Sequence, residues 1–168
     1  MQQNELKAMH PTQTNGQTAR KAYKKLALMI GLSFIFMYAV MFLNVDDGNH
    51  IYVSTSRTYM ALLMVLPMSV IMIVMMSKMY PDRKLNSIII VVAIILFGIV
   101  LTGLRTQTPI GDIQYMKAMI PHHSSAIMTS KNANIEDPEV KKLSEEIIQS
   151  QEKEIAQMKK IISRMKSE

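Results

Sequence analysis

Three windows of the chain carry no charged side chain: Leu26–Val45, Thr58–Ser77 and Leu85–Leu104, each 20 residues long. A helix rises about 1.5 Å per residue, so each window reaches about 30 Å, the thickness of a bilayer's hydrocarbon core. The pattern predicts membrane spans at 26–45, 58–77 and 85–104. Pro67 sits inside the second and predicts a kink, tolerated where neighbouring helices satisfy the freed carbonyl. Beyond Leu104 the pattern changes. Ile113–Ala133 has helical periodicity, and Pro121 within it is expected to loosen the helix and free a backbone carbonyl. After Asn134-Ile135-Glu136 a second helix is signalled by Asp137 as N-cap, Pro138 at the first helical position and Glu139 at the positive end. About five residues join the two, which makes them antiparallel neighbours.

The expected fold class is therefore all-α: three transmembrane helices over residues 26–104, followed by an antiparallel two-helix hairpin over 105–168. Residues 1–25 are rich in Gln, Asn and Thr and end in a basic cluster. They predict a disordered cytoplasmic tail. Two helices of this size bury little surface alone, so packing on a second copy into a four-helix bundle, as a homodimer or larger homo-oligomer, is the expected remedy.

Charge settles orientation and excludes some function classes. The net charge is +6 over 168 residues. Lys7, Arg20, Lys21, Lys24 and Lys25 precede the first window, and Lys78, Arg83 and Lys84 separate the second from the third. The link between the first two offers Asp46, Asp47 and a single Arg57. The Lys/Arg bias places the N-terminus and the second link in the cytoplasm and the hairpin outside it. Bases that flank apolar windows are no nucleic-acid footprint, which gathers charge on one soluble face. Asn44-Val45-Asp46-Asp47 is a poor cleavage site, so the first window is expected to stay as an anchor rather than leave as a signal sequence. The chain has no cysteine. No disulfide braces the hairpin, and a soft metal ligand has to be methionine.

The chemistry emerges on a helical wheel of about 100° per residue. On the second hairpin helix, Val140, Leu143, Ile147, Met158, Ile161, Ile162 and Met165 define an apolar stripe, with Ile148 and Ile155 on its edge. Gln151 and Glu154 fall inside it. A carboxylate in a helix seam needs a partner or a cation. On the first hairpin helix, Ile113, Met116, Met119, Ile120, Ala126 and Ile127 form the apolar face, with His123 near its centre and His122 and Tyr115 together on its edge. Met116, Met119 and His123 are spaced i, i+3, i+7 and stack along one side. Antiparallel register sets His123 opposite Ile147–Gln151 and Met119 opposite Gln151–Glu154. Imidazole, thioethers and a carboxylate thus converge. Thioether sulfur favours Cu(I), and imidazole suits copper in either oxidation state; a structural zinc site would show Cys or more His. The other reading is a His123–Glu154 hydrogen bond that only fixes register, with methionines as ordinary core.

Met119-Ile120-Pro121-His122-His123-Ser124-Ser125-Ala126-Ile127, followed by Gln151-x-x-Glu154-Ile155-x-x-Met158, resembles the family called domain of unknown function 305, over roughly Gln114–Met165. The preceding three-span anchor is similar to that of the family's membrane-bound members. The resemblance implies a ferritin-like helical fold, with some members linked to periplasmic copper binding and copper resistance, and His122, His123, Glu154 and Met158 at motif positions; the expected location is a bacterial inner or plasma membrane. The chain departs where many soluble members place a methionine: here stands Thr129.

Taken together, the expected function is a membrane-anchored extracytoplasmic protein that binds copper as its metal cofactor and acts in copper handling or tolerance. The expected ligands are His122, His123, Met116, Met119, Glu154 and Met158, with Gln151 and Tyr115 beside them. The alternative is a structural or interaction module that pairs with a partner protein. No nucleophile–base pair, phosphate loop or redox cysteine pair is present, so no enzymatic activity is expected. The methionines of the second window, from Met60 to Met79, step mostly by four and drift about 40° each time. They spiral around the helix instead of lining one pore, and read as packing. His10 and His50 read as isolated and solvated.

Overall fold

The computed structural model describes residues 12–167, with side chains from Ala19 onward. The described residues form five helices and no strand: α1 (Thr12–Val40), α2 (Thr55–Met75), α3 (Arg83–Thr106), α4 (Asp112–Asn132) and α5 (Pro138–Ser167), with a short 3-10 turn at Gly48–His50. The all-α expectation holds. Three stretches are long and apolar enough to cross a membrane: Ala19–Val40 of 22 residues, Thr55–Met75 of 21 and Arg83–Thr106 of 24. Each begins before its charge-free window, where the long stems of Lys and Arg let a helix run past its charged flank, and the first two end short of theirs, at Val40 and Met75. α1 begins at Thr12, within the segment expected as a disordered tail. Residues 12–25 are helical because extending an existing helix adds one hydrogen bond per residue fixed. His10 and the rest of that tail lie outside the described residues. Pro67 lies inside an unbroken α2.

The chain divides into two compact units, Met1–Phe36 with Leu62–Leu101, and Met37–Ala61 with Thr102–Glu168. In the first, Leu26, Ile73 and Tyr80 form a buried cluster. The Tyr23 and Tyr80 rings stack against each other with centroids 5.3 Å apart. Tyr23 donates to Asn86 Oδ1 at 2.8 Å, and Asn86 Nδ2 donates to the Tyr80 carbonyl at 2.9 Å. Asp82 accepts from the Leu85 amide at 3.0 Å and so starts α3. The outward faces of the spans, such as Ile71, Val74, Ile94 and Ile99, are exposed and apolar, as hydrocarbon requires.

The second unit contains the hairpin. Asp137 caps α5 as the sequence predicts: Oδ1 accepts from the amides of Glu139 at 2.9 Å and Val140 at 3.0 Å. Met116, Ile120 and Ile127 of α4 pack on Ile155 and Ile162 of α5, with Tyr52 of the first link alongside. Fully burying one such aliphatic side chain contributes about 1.5–3 kcal/mol. Here the structure corrects the stripe drawn on α5. Ile155 is 4% exposed and sits at its centre, whereas Val140 at 49% and Leu143 at 54% face outward. The seam runs Ser144–Ile148–Ile155–Ile162, and Ser144 donates to the Ser130 carbonyl at 3.3 Å. A small buried hydroxyl thus occupies the seam at the start of α5. α4 continues through Pro121, which is fully buried. The unit also ties α3 to α2: the Tyr59 hydroxyl donates to the Thr108 carbonyl at 2.7 Å, and its ring lies so close to Gly103 that an added Cβ would meet it at 3.3 Å.

Candidate metal centre

His123 is buried on the inner face of α4, and both ring nitrogens are engaged. Nδ1 lies 2.9 Å from the Met119 carbonyl, one helical turn back. A carbonyl only accepts, so Nδ1 carries the proton and the ring is fixed in one orientation. Nε2 then points across the hairpin to Glu154 Oε2 at 2.6 Å. The other carboxylate oxygen accepts from the Ser150 hydroxyl at 2.8 Å. That hydroxyl, and next the His123 contact, hold the Glu154 carboxyl below the usual carboxylate range. The pair is open at one end: the His123 side chain is 8% exposed and the Glu154 side chain 48%. The acid expected within the stripe therefore stands at its rim and keeps much of its hydration, which lowers the cost of holding a charge there.

With Nδ1–H committed to the backbone, the Nε2 lone pair faces an ionised oxygen, and one proton shared between them completes the bond. A cation in the proton's place would meet the same two atoms. Around them is a cleft of about 520 Å³. Tyr115, Met116, Met119, His123, Glu154 and Met158 all line it, so six of the eight residues expected at the site are brought together. Met165 lines it too, one heptad beyond Met158; it was legible in the stripe but not as a donor. Gln151 does not line the cleft. Its Oε1 is buried without a hydrogen-bond partner, a state that costs about 1–3 kcal/mol.

His122 lies elsewhere. It is exposed and lines a different cleft, its ring centroid 6.2 Å from that of His123. Adjacent positions on a helix diverge by about 100°, so two neighbouring histidines do not share one face. Among the described residues no group of three or more His, Asp or Glu side chains is placed to hold an ion. The cleft offers further donors of two kinds, the thioethers of Met116, Met119, Met158 and Met165 and the oxygens of Asp112, Tyr115 and Gln157; the thioethers are the soft-metal donors.

One part of the site was not read from the sequence. The Ser124 hydroxyl, fully buried, accepts from the Asp46 amide at 2.8 Å and lies 2.8 Å from His50 Nδ1. Asn44 donates to the Ser125 hydroxyl at 2.8 Å, and Lys131 pairs with Asp46 at 2.9 Å. The first link thus docks on the two serines that follow His123. His50 is half-buried rather than solvated, and burial pushes its imidazole below the ordinary value. The Ser-Ser doublet beside the histidines was the available signal, but nothing in the chain's spacing shows which loop it receives.

Residues 100–162 match the family described as Domain of unknown function (DUF305). Over 144 residues the chain is 37% identical to "Uncharacterized protein L153" of Acanthamoeba polyphaga mimivirus, a stretch covering 84% of this chain and 93% of that protein. So long a stretch takes in α2, α3 and α4 wherever it begins, and the likeness is not confined to the hairpin. No solved structure matches the chain.

Proposed function

This chain belongs to the DUF305 family, and on that footing we propose that it is a membrane-anchored protein whose hairpin binds copper as Cu(I), for copper handling or tolerance. Three apolar helices hold it in the bilayer, and the Lys/Arg bias of their flanks favours a hairpin outside the cytoplasm of a bacterial cell. The observation that carries the reading is the His123 ring. Its Nδ1 proton is spent on the Met119 carbonyl, and its Nε2 is directed at Glu154 in a cleft lined by Met116, Met119, Met158 and Met165. A backbone carbonyl that fixes the tautomer of an imidazole is how proteins orient a metal-binding histidine. His123 and the methionines would be the ligands, with Glu154 as a further ligand or as the group that aims the ring.

A rival reading keeps the same pair as a register device for an interaction module. The completeness of its hydrogen bonding, with both Glu154 oxygens and both ring nitrogens engaged, favours it. Titration of the full chain in detergent with Cu(I), under anaerobic conditions and against a chromogenic competing chelator, separates the two. We expect His123→Ala and the double variant Met119→Leu/Met158→Leu each to bind at least about tenfold more weakly, a difference of about 1.4 kcal/mol. Affinity unchanged in both would reject the copper site and leave the register device.

A further inference from the structure

We propose that the cleft beside Arg57 holds the phosphate of an anionic phospholipid headgroup. Arg57 stands in the first turn of α2, at the start of a candidate span. Its guanidinium carbon lies over the Phe42 ring, 4.4 Å from the centroid, and one guanidinium nitrogen donates to the Met41 carbonyl just past the end of α1. Guanidinium has five N–H donors in a planar fork. Among the described residues, the side-chain ion pairs are His123–Glu154, Lys131–Asp46, Lys131–Glu152 and Lys142–Glu146, so no carboxylate neutralises Arg57. A half-buried guanidinium stacked on an aromatic face and lacking an acid calls for an anion from outside the chain.

The surroundings say which anion. Arg57 lines a cleft of about 610 Å³ walled on one side by Val40, Met41, Leu43 and Met60, with Ser56 beside the charge, and on the other by α4, through residues that include Met119, His122 and Met128. The cleft therefore lies between α4 and the place where α1 ends and α2 begins, and its Arg57 side is at the level of the span ends, where headgroups lie. A free phosphate has no use for apolar walls of that extent. A phospholipid uses both: bidentate pairing of its phosphate with the guanidinium fork, and its glycerol and upper acyl carbons against the aliphatic and thioether wall. The charge of Arg57 then favours an acidic headgroup over a zwitterionic one, whose own cation competes for the phosphate.

The full chain, purified in detergent, is incubated with phosphatidylglycerol, phosphatidylcholine or inorganic phosphate, and bound species are read by native mass spectrometry and by thermal shift. We expect phosphatidylglycerol to remain bound and raise the unfolding temperature, phosphatidylcholine to do so at least about tenfold less well, and inorganic phosphate to do neither. Arg57→Gln should lose the preference for phosphatidylglycerol, and Arg57→Lys should restore part of it. Val40→Trp, which fills the cleft and leaves the charge in place, should expel the lipid even if Arg57→Gln fails to fold. Equal retention of phosphatidylglycerol by Arg57→Gln or Val40→Trp overturns the proposal, as does stabilisation by inorganic phosphate alone.

Discussion

The Ser124 hydroxyl meets Nδ1 of His50 at 2.8 Å, across 74 residues of sequence. The same oxygen accepts the Asp46 amide, so its own proton is free to go to the imidazole, and His50 is held neutral with its proton on Nε2. One buried hydroxyl thereby holds two points, Asp46 and His50, in the loop that follows α1. Ser124→Ala removes the partner of the Asp46 amide and of a half-buried ring nitrogen. It should destabilise the second unit by about 1–3 kcal/mol. The Asp46 amide should exchange its hydrogen faster in this variant than in the parent; unchanged exchange would show that the loop does not depend on Ser124.

The same contact predicts an acid response. Burial, and then the positive charge of Lys159, push the His50 imidazole below the ordinary 6.5, while Asp47 and Asp46 oppose them and Lys131 adds to the lowering. Between that lowered value and 6.5 the unfolded chain binds a proton that the folded chain refuses, so stability rises with pH there. On acidification the loss begins near 6.5 and stops growing below the folded value. His50→Gln should show a shallower fall of unfolding temperature between about pH 7.5 and pH 5 than the parent. Parallel curves for the two would remove His50 as the cause.

The corrected seam of α5 makes a paired prediction. Ile155→Ala opens a hole against Ile120 and Ile127 and should cost about 2–5 kcal/mol. Val140→Ser, on the outward face, should change stability by no more than about 0.5 kcal/mol. Chemical unfolding followed by the helical circular dichroism signal measures both. A large loss in Val140→Ser would restore the stripe drawn from the wheel.

His123 and Glu154 can be separated by substitution. His123→Ala removes two hydrogen bonds from a buried position, and about 1–3 kcal/mol of stability should go with them. Glu154→Gln keeps an amide that can donate to Nε2, so its unfolding temperature without metal should match the parent while its Cu(I) affinity falls. A Glu154→Gln chain that melts early and binds Cu(I) as well as the parent would assign the carboxylate to architecture alone.

The charge-free windows made the three long helices legible, and Asp137-Pro138 made the start of α5 legible to the residue, because length and caps are local properties. That His123 and Glu154 share the seam was legible from the helical wheels, but the register drawn from the short turn set Glu154 opposite Met119, about one helical turn from the His123 it meets. The exact face of α5 was not legible. Val140 and Leu143 are as apolar as Ile155, so apolarity alone did not show that Ser144 takes the inward place while they face outward. The separation of His122 from His123 was available from the wheel, which set them on different parts of the face, but the paired motif outweighed it. The docking of Asn44, Asp46 and His50 could not be read at all, because a polar loop carries no periodicity to point at its receptor.

That docking also decides where such a protein can be cut and rejoined. A graft that moved 105–168 alone onto a foreign anchor would leave Ser124 and Ser125 without the Asp46 amide, the His50 ring and the Asn44 amide, and would uncover the core beside Tyr52. The transplantable piece is discontinuous: the helix pair must travel with the first link, and the splice belongs inside the membrane helices.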